Sequence, residues 1–381
     1  MVAIKKSLHL FVAFVFALLP LVSNATTVEG SQEALQEAVA EGVHDSAVAL
    51  DPSSQEFVDQ FTQHHLMDDH FYSFYADAEK NKHYGFPLPI ILIDNGLKVF
   101  LSSEDFVYNG KVIEKGGQHY KYYHGKIYKT DAAGTITYNE RGFAANEKPM
   151  DFSITKNVFG LILATVILFL GFTSLAKTYK NSPNNLPKGI ARALEPLVIY
   201  VRDEMARPNI GDKRYKQYMP YLLSVFFLIF LLNLMGLTPL GLNVTGNIAV
   251  TCCLAVFTFL ITTFSGNKDY WKHIFWMPGV PTPMKIVLAP IEVIGMITKP
   301  FSLMIRLFAN ITAGHSIVMG IIAVVFVMKQ SMGVIGATGI SLALGIFITF
   351  LELLIAFLQA FIFTMLSSLF IGMAVQEHDE H

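Results

Sequence analysis

Apolar positions in this chain fall into long unbroken runs separated by polar stretches, and the run lengths predict most of the architecture. Val158 to Ala176, Met219 to Leu240 and Ile248 to Phe264 are each close to the ~20 residues that cross a bilayer. Two further runs are too long for a perpendicular crossing. One covers residues 284–328 and carries Pro290 and Pro300, which kink or break a helix. The other, Gly333 to Val375, has Glu352 as its one charged residue, and as a single helix it would be roughly 64 Å long against a hydrocarbon core of about 30 Å. Two arrangements accommodate such lengths. Either each run forms a conventional hairpin, or both are long helices, steeply inclined and packed as one antiparallel hairpin that turns near Lys329 to Gly333.

The polar stretches carry their own patterns. Between the first two runs, Ile190, Leu194, Leu197, Val198, Val201 and Met205 repeat at helical spacing while Arg192, Glu195, Arg202 and Asp203 fall elsewhere on the wheel. This predicts an amphipathic helix on the membrane surface or against a partner, ended by Pro208-Asn-Ile-Gly211. The same loop holds Lys177, Lys180, Lys188, Arg192, Arg202, Arg207, Lys213, Arg214 and Lys216, which places it on the cytoplasmic side by the positive-inside rule.

At the amino terminus, Lys5 and Lys6 precede an apolar core from Leu8 to Val22 and then Ser23-Asn24-Ala25, the pattern of a secretory signal cleaved after Ala25. An uncleaved signal anchor is the alternative, and in either case the segment after Ala25 is exported. Residues 26–150 are polar and contain no run long enough to cross a bilayer. Glu33 to Val43 reads as a short helix, and Pro89 to Leu101 as a hairpin around Asn95-Gly96. Tyr120 to Tyr128 and Thr135 to Tyr138 alternate like strands. The expected fold is therefore an all-α polytopic membrane protein with about five membrane helices, preceded by a small, mostly β extracytoplasmic domain. Its three parts are a signal peptide (1–25), the exported domain (26–150) and the membrane domain (151–381).

Composition agrees. The 381 residues are 52% hydrophobic and 15% charged, with a mean hydropathy of +0.45, as in a multi-span membrane protein. A formal charge of -2 gives no reason to expect a nucleic-acid partner. No zinc-type Cys/His spacing, phosphate loop or nucleophile elbow is present, so no metal or cofactor is expected. Adjacent Cys252 and Cys253 in an apolar run read as small packing residues. The His64, His65, Asp68, Asp69 and His70 cluster reads either as a metal or proton-collecting site or, for want of a second partner motif, as solvated surface.

Chemistry concentrates in the two long runs. Arg306 has only Glu292 and Lys299 as charged company nearby, and a guanidinium at bilayer depth costs roughly 3 kcal/mol or more. Either it snorkels to the headgroups or the chain uses it. Glu292, Arg306, Asn310, His315, Glu352 and Gln359 together supply titratable groups, amides and a fixed positive charge, the ingredients of an ion path; interhelical polar glue is the alternative for the amides. Asn310 shares a face with Arg306 at i+4, whereas His315 at i+9 points away. In an inclined hairpin Arg306 sits near the level of Gln359, and His315 near that of Glu352.

Lys299-Pro-Phe-Ser-Leu-Met-Ile-Arg306-Leu-Phe-Ala-Asn310-Ile-Thr-Ala-Gly314 and Leu358-Gln359-Ala-Phe-Ile-Phe363 resemble subunit a of the F-type ATP synthase. So do Leu194-Glu-Pro-Leu-Val, Arg207-Pro-Asn-Ile-Gly211 and Asn233-Leu-Met-Gly-Leu-Thr-Pro239, and the resemblance covers most of residues 150–381. It implies a non-catalytic, proton-conducting stator in the bacterial inner membrane, partnered by a c-subunit ring, peripheral-stalk b subunits and the rest of the synthase. It also implies two aqueous half-channels; the signal peptide and the positive-inside rule put the exported domain in the periplasm, and the carboxyl terminus is expected to be cytoplasmic. On the resemblance, Arg306 matches the essential arginine and Asn310 and Gln359 its neighbours. Glu292 matches a carboxylate of the cytoplasmic half-channel, and His315 and Glu352 the extracytoplasmic pair. The acid and histidine are exchanged relative to some bacterial relatives, as in the mitochondrial form, and Ala309 stands where a glycine is common. Residues 26–150 lie outside the resemblance. A ligand-binding receptor would require a cytoplasmic output domain, and a secondary transporter would be expected to show an internal repeat; neither feature is evident.

Overall fold

A computed structural model describes residues 68–77, 82–123, 125–139, 144–181, 189–238, 242–277 and 279–376. The predicted signal peptide and the helix expected at Glu33 to Val43 lie outside the described residues.

Among the described residues, eight short strands form three antiparallel sheets ahead of the first long helix. Strands β1 (Phe71–Asp77) and β2 (Lys82–Pro87) pair with each other. The strands β3 (Pro89–Ile93) and β4 (Leu97–Leu101) form the hairpin expected around Asn95-Gly96, and both turn residues take positive φ, 50° and 127°. A four-residue helix, α1 (Glu104–Val107), leads to β5 (Ile113–Lys115), β6 (Gln118–Tyr123) and β7 (Lys126–Thr130). Finally β8 (Met150–Asp151) adds to the free side of β3. Ile90, Leu92, Phe106, Tyr120, Tyr122 and Ile127 form the core between the sheets.

Thr135 to Tyr138 is not a strand. The Asp131 carboxylate accepts from the Thr135 amide and hydroxyl at 2.9 Å each, and the Asn146 side-chain oxygen accepts from the Thr137 amide at 2.7 Å. Side chains thus satisfy the backbone donors that a ladder would have used, leaving one bridge, Tyr138 to Ala144.

Five helices among the described residues are long and apolar enough to cross a membrane. The first is α2 (Lys156–Asn181). After it, α3 (Ile190–Tyr200) runs without interruption through a π-helical turn (Val201–Ala206) into α4 (Arg207–Ile210). Val201, Met205, Ala206 and Ile210 are buried along this segment, and Gly211, at φ 88°, ends it. The second and third crossing-length helices are α5 (Tyr215–Gly236) and α6 (Ile248–Ser265). The α5 helix stops at Gly236, short of the sequence-based limit at Leu240, because the chain turns before Pro239; Thr238 bonds back to the Met235 carbonyl through both its amide and hydroxyl.

A short helix without a counterpart in the apolar pattern, α7 (Lys268–Phe275), precedes α8 (Thr282–Val375). The α8 helix has two arms divided at Gly333, whose φ of 72° and ψ of 170° are non-helical, and they supply the fourth and fifth crossing-length segments. Pro290 and Pro300 lie inside its first arm without ending it.

The main core joins α2, α5, α6 and the far ends of both α8 arms, with Leu161, Phe226, Leu254, Leu307 and Phe363 all buried. Two asparagines fasten the last arm. Asn209 Nδ2 donates to Ser368 Oγ at 2.9 Å and to the Met205 carbonyl at 2.8 Å, and the backbones meet so closely that a Cβ on Gly372 would overlap the Asn209 carbonyl. The Asn267 amide and side chain donate to the Ala374 and Val375 carbonyls at 2.9 Å each, satisfying groups that a helix end leaves open.

Candidate functional site

The helical spacing around Arg306 sorts its neighbours by face. Leu303 and Leu307 are buried against the core, while Ile305, Arg306, Ala309 and Asn310 are exposed on the other side. Arg202 and Arg207 each hold a carboxylate at 2.8 Å, but among the described residues Arg306 makes no ion pair. Its arm and the one after Gly333 are also the least covered of the five segments. Only 6% and 11% of their most apolar windows are buried, against 39–50% for the other three.

Two contacts set the register of the arms. Lys299 Nζ lies 5.5 Å from the centre of the Phe370 ring, and a Cβ placed on Gly314 would stand 3.0 Å from Glu352 Oε1. Counting eight residues back from Gly314 and eight forward from Glu352 puts Arg306 opposite Ala360, about 12 Å along the helices. Arg306 and Gln359 therefore share a level. They do not share a face, since Gln359 is buried with Ala356, Ala360 and Phe363 while Arg306 is exposed. His315 follows Gly314 directly, so its backbone lies beside Glu352; its side chain is outside the described residues.

Glu292 is half-buried near Tyr270 of α7. Burial, and then the charge of Glu292, push the Tyr270 phenol above its usual range. Tyr270 also lines a small cavity with Met296, Lys299, Pro300, Phe370 and Met373. Sequence reasoning missed Tyr270, because α7 is short and polar and only the fold brings it within electrostatic range of Glu292.

The Asp68, Asp69 and His70 part of the acidic and histidine cluster is a buried joint, which corrects the reading of it as solvated surface. Asp68 accepts from the Asn157 amide at 2.9 Å and the Thr155 hydroxyl at 3.0 Å, and the Asp69 carbonyl accepts from the Lys156 amide at 2.9 Å. They cap the first turn of α2 from nearly ninety residues away. The Asp69 carboxylate takes the Tyr122 hydroxyl at 2.7 Å, and His70 Nε2 meets Asp151 at 3.0 Å. Burial pushes His70 down, but the bond to Asp151 and the charges of Asp151, Asp68 and Asp69 outweigh it and hold the imidazole above its ordinary value. Burial likewise raises Asp151, and the bonds from His70 and Ser153 reverse this to a net lowering. For Asp68 burial prevails over its two bonds and leaves the carboxyl raised. His64 and His65 lie outside the described residues. Among those described, no group of three or more His, Cys, Asp or Glu is placed to hold a metal.

Comparison with known proteins accounts for the membrane part. The sequence model of the family described as ATP synthase A chain matches residues 158–372, and one described only as a domain of unknown function matches residues 61–152. An ATP synthase subunit a 2 of Chlorobaculum tepidum is 46% identical over 237 residues, covering 61% of this chain and 66% of that protein. An ATP synthase subunit a of Chlorobium phaeobacteroides is 47% identical over 237 residues, 61% of this chain and 68% of that protein. One from Anaeromyxobacter is 39% identical over 269 residues, 68% of this chain and 62% of its own length. The chain thus spans about two thirds of the length of these relatives. With the Arg306 segment inside the matched region, which takes in all but the outermost two or three residues of α2 and α8, this chain belongs to the ATP synthase A chain family.

Proposed function

We propose that this chain is the proton-translocating stator subunit of an F-type ATP synthase. In this reading it has no catalytic site of its own and sits in the inner membrane beside a ring of c subunits, held by peripheral-stalk b subunits. The arms of α8 form an inclined antiparallel hairpin whose uncovered face meets the ring, and the amphipathic α3–α4 segment lies at the cytoplasmic surface. The loop rich in Lys and Arg and the carboxyl terminus are cytoplasmic, and residues 26–150 are exported after removal of residues 1–25.

Protons enter one aqueous half-channel by way of His315 and Glu352, neutralise a ring carboxylate, travel with the ring and leave past Glu292. The fixed charge of Arg306 draws the proton off an arriving carboxylate and blocks direct leakage between the half-channels, since Coulomb attraction and repulsion are strong where water is excluded. Asn310 and Gln359 orient groups at the arginine's level. The observation that carries this reading is Arg306 itself, exposed on the least covered helix face and without an ion-pair partner among the described residues. An unpaired guanidinium at that depth calls for a partner carboxylate from another chain.

Arg306→Ala is expected to abolish ATP synthesis driven by a proton gradient in membrane vesicles while the complex still co-purifies with its ring. Arg306→Lys is expected to restore only part of it, because a buried lysine deprotonates where arginine does not. Normal synthesis by the alanine variant would refute the mechanism.

A further inference from the structure

The sheet formed by β4, β3 and β8 carries apolar residues on both faces. Its inner face, with Ile90, Leu92 and Phe100, packs on the core of the β domain. Antiparallel sheets that face water on one side alternate apolar and polar positions, and this one does not. The directly opposed pairs Leu101 and Pro89, Val99 and Ile91, and Leu97 and Ile93 put six apolar residues on the outer face, and Met150 joins them opposite Ile93. Pairing continues beyond β8, with the Phe152 and Ile154 amides donating to the Ile91 and Pro89 carbonyls at 2.8 and 3.0 Å, so the alternation adds Phe152 and Ile154, both partly buried and the latter packed against the main core where the row meets α2. Nine positions in three rows are thus apolar without exception. Leu97 is 69% exposed, Met150 65%, Leu101 62%, Val99 48% and Ile93 45%.

The third row runs straight into the membrane. Only Thr155 separates Ile154 from Lys156, where α2 begins. At ~3.3 Å per residue, Met150 is within about 20 Å of the first turn of that helix. The sheet is also held rigidly there by the Asp68 cap on Thr155 and Asn157, the His70 to Asp151 pair, and the packing of Tyr72 and Phe86 on Phe159 at 5.6 and 5.5 Å. The outer face is therefore tethered close to the start of α2, a helix of crossing length that itself exposes Val166, Ile167 and Leu170.

We propose that the outer face of this sheet is a membrane-contact surface, seated in the lipid interface next to the start of α2. A protein partner is the competing occupant, but protein interfaces mix apolar contacts with hydrogen-bonding groups, and these nine side chains offer neither a donor nor an acceptor. The inference needs only the membrane insertion of α2 and is independent of how protons move through α8. It also gives the β domain a task, which is to brace the first membrane helix against the bilayer surface.

Nitroxide accessibility in the assembled complex, reconstituted into phosphatidylcholine and phosphatidylglycerol vesicles, tests it. In a background of Cys252→Ala and Cys253→Ala, single labels are attached through Leu97→Cys, Val99→Cys and Leu101→Cys, with the exposed Glu114→Cys on β5 as the aqueous reference. Cysteine at these outward positions removes no core contact, and retained proton pumping verifies assembly. Lipid contact predicts that collisions with oxygen outweigh those with a nickel chelate several-fold more than at residue 114 for all three labels. Nickel collisions equal to the reference would mean a solvated face, and exclusion of both reagents would mean a protein partner. Either result overturns the proposal.

Discussion

Gly314 offers a way to move Glu352 without changing any titratable residue. A Cβ at Gly314 would lie 3.0 Å from Glu352 Oε1, 3.7 Å from Cδ and 3.9 Å from Cγ. Alanine therefore asks the flexible carboxylate to retreat by a few tenths of an ångström, at a cost of about 1 kcal/mol for an off-rotamer side chain. Replacing glycine inside a helix returns about 1 kcal/mol, so Gly314→Ala should be neutral for folding and pump within two- to threefold of the parent. Gly314→Leu is different. Its Cγ reaches about 1.5 Å further from the backbone and occupies the space of the carboxylate, which must swing away by more than an ångström. Proton transfer needs partners within hydrogen-bond reach, and a positioned acid or base is worth about 10²–10⁴ in rate. With water bridging part of the gap, a fall of at least about tenfold is expected. The assay is ATP-driven proton uptake by inverted vesicles, read from quenching of a pH-sensitive dye, with co-purification of the ring as the assembly control. Glu352→Gln should slow uptake to a similar degree without harming assembly, and the double variant should be no worse than either single one, since both remove the same function. A Gly314→Leu complex that assembles and pumps at the parent rate across a pH series would refute the assignment of Glu352.

At the joint between the β domain and α2, Asp68→Ala removes a cap and leaves the Asn157 amide and Thr155 hydroxyl without that acceptor; at about 1–2 kcal/mol for each lost bond, the local destabilisation is about 2–4 kcal/mol. Hydrogen exchange at the first amides of α2 should then speed up by roughly 30- to 700-fold, and unchanged protection would show that the cap is immaterial. The same joint should respond to pH. The raised His70 contributes stability in full below its ordinary value of 6.5 and loses it as pH climbs through the higher folded value. Lowered Asp151 contributes above 3.8 and loses that as pH falls, while the raised Asp68 has the opposite dependence, so the two carboxyls oppose each other near pH 4. His70 is left to set the alkaline limb. Exchange of residues 150–157, corrected for its intrinsic pH dependence, should increase above pH 6.5 in the parent and not in His70→Gln; parallel profiles would contradict this.

Length and periodicity made the five crossing segments legible from residue order alone, because a bilayer sets a minimum apolar length for every helix that spans it. Short-range chemistry did the same for the β3–β4 hairpin, where Asn95-Gly96 supplies the positive φ that the turn requires, and for the end of α4 at Gly211. The residues around Arg306 and Gln359 were legible as a family motif and as polar residues too costly to leave in lipid unused. Periodicity misled at Thr135 to Tyr138, where side chains of Asp131 and Asn146 take the backbone donors.

What residue order fixed, then, is the set of membrane segments, the family and the identity of the polar groups within the long runs. The tertiary structure decided which groups meet. It put Glu352 against Gly314, Tyr270 near Glu292, and Arg306 on an uncovered face at the level of a buried Gln359. It also turned Asp68, Asp69 and His70 from an apparent surface cluster into a buried joint, in which the two aspartates cap α2 and His70 holds Asp151. These outcomes depend on contacts between residues tens of positions apart. Periodicity reports only which face of its own element a residue occupies, and not what the fold brings to that face.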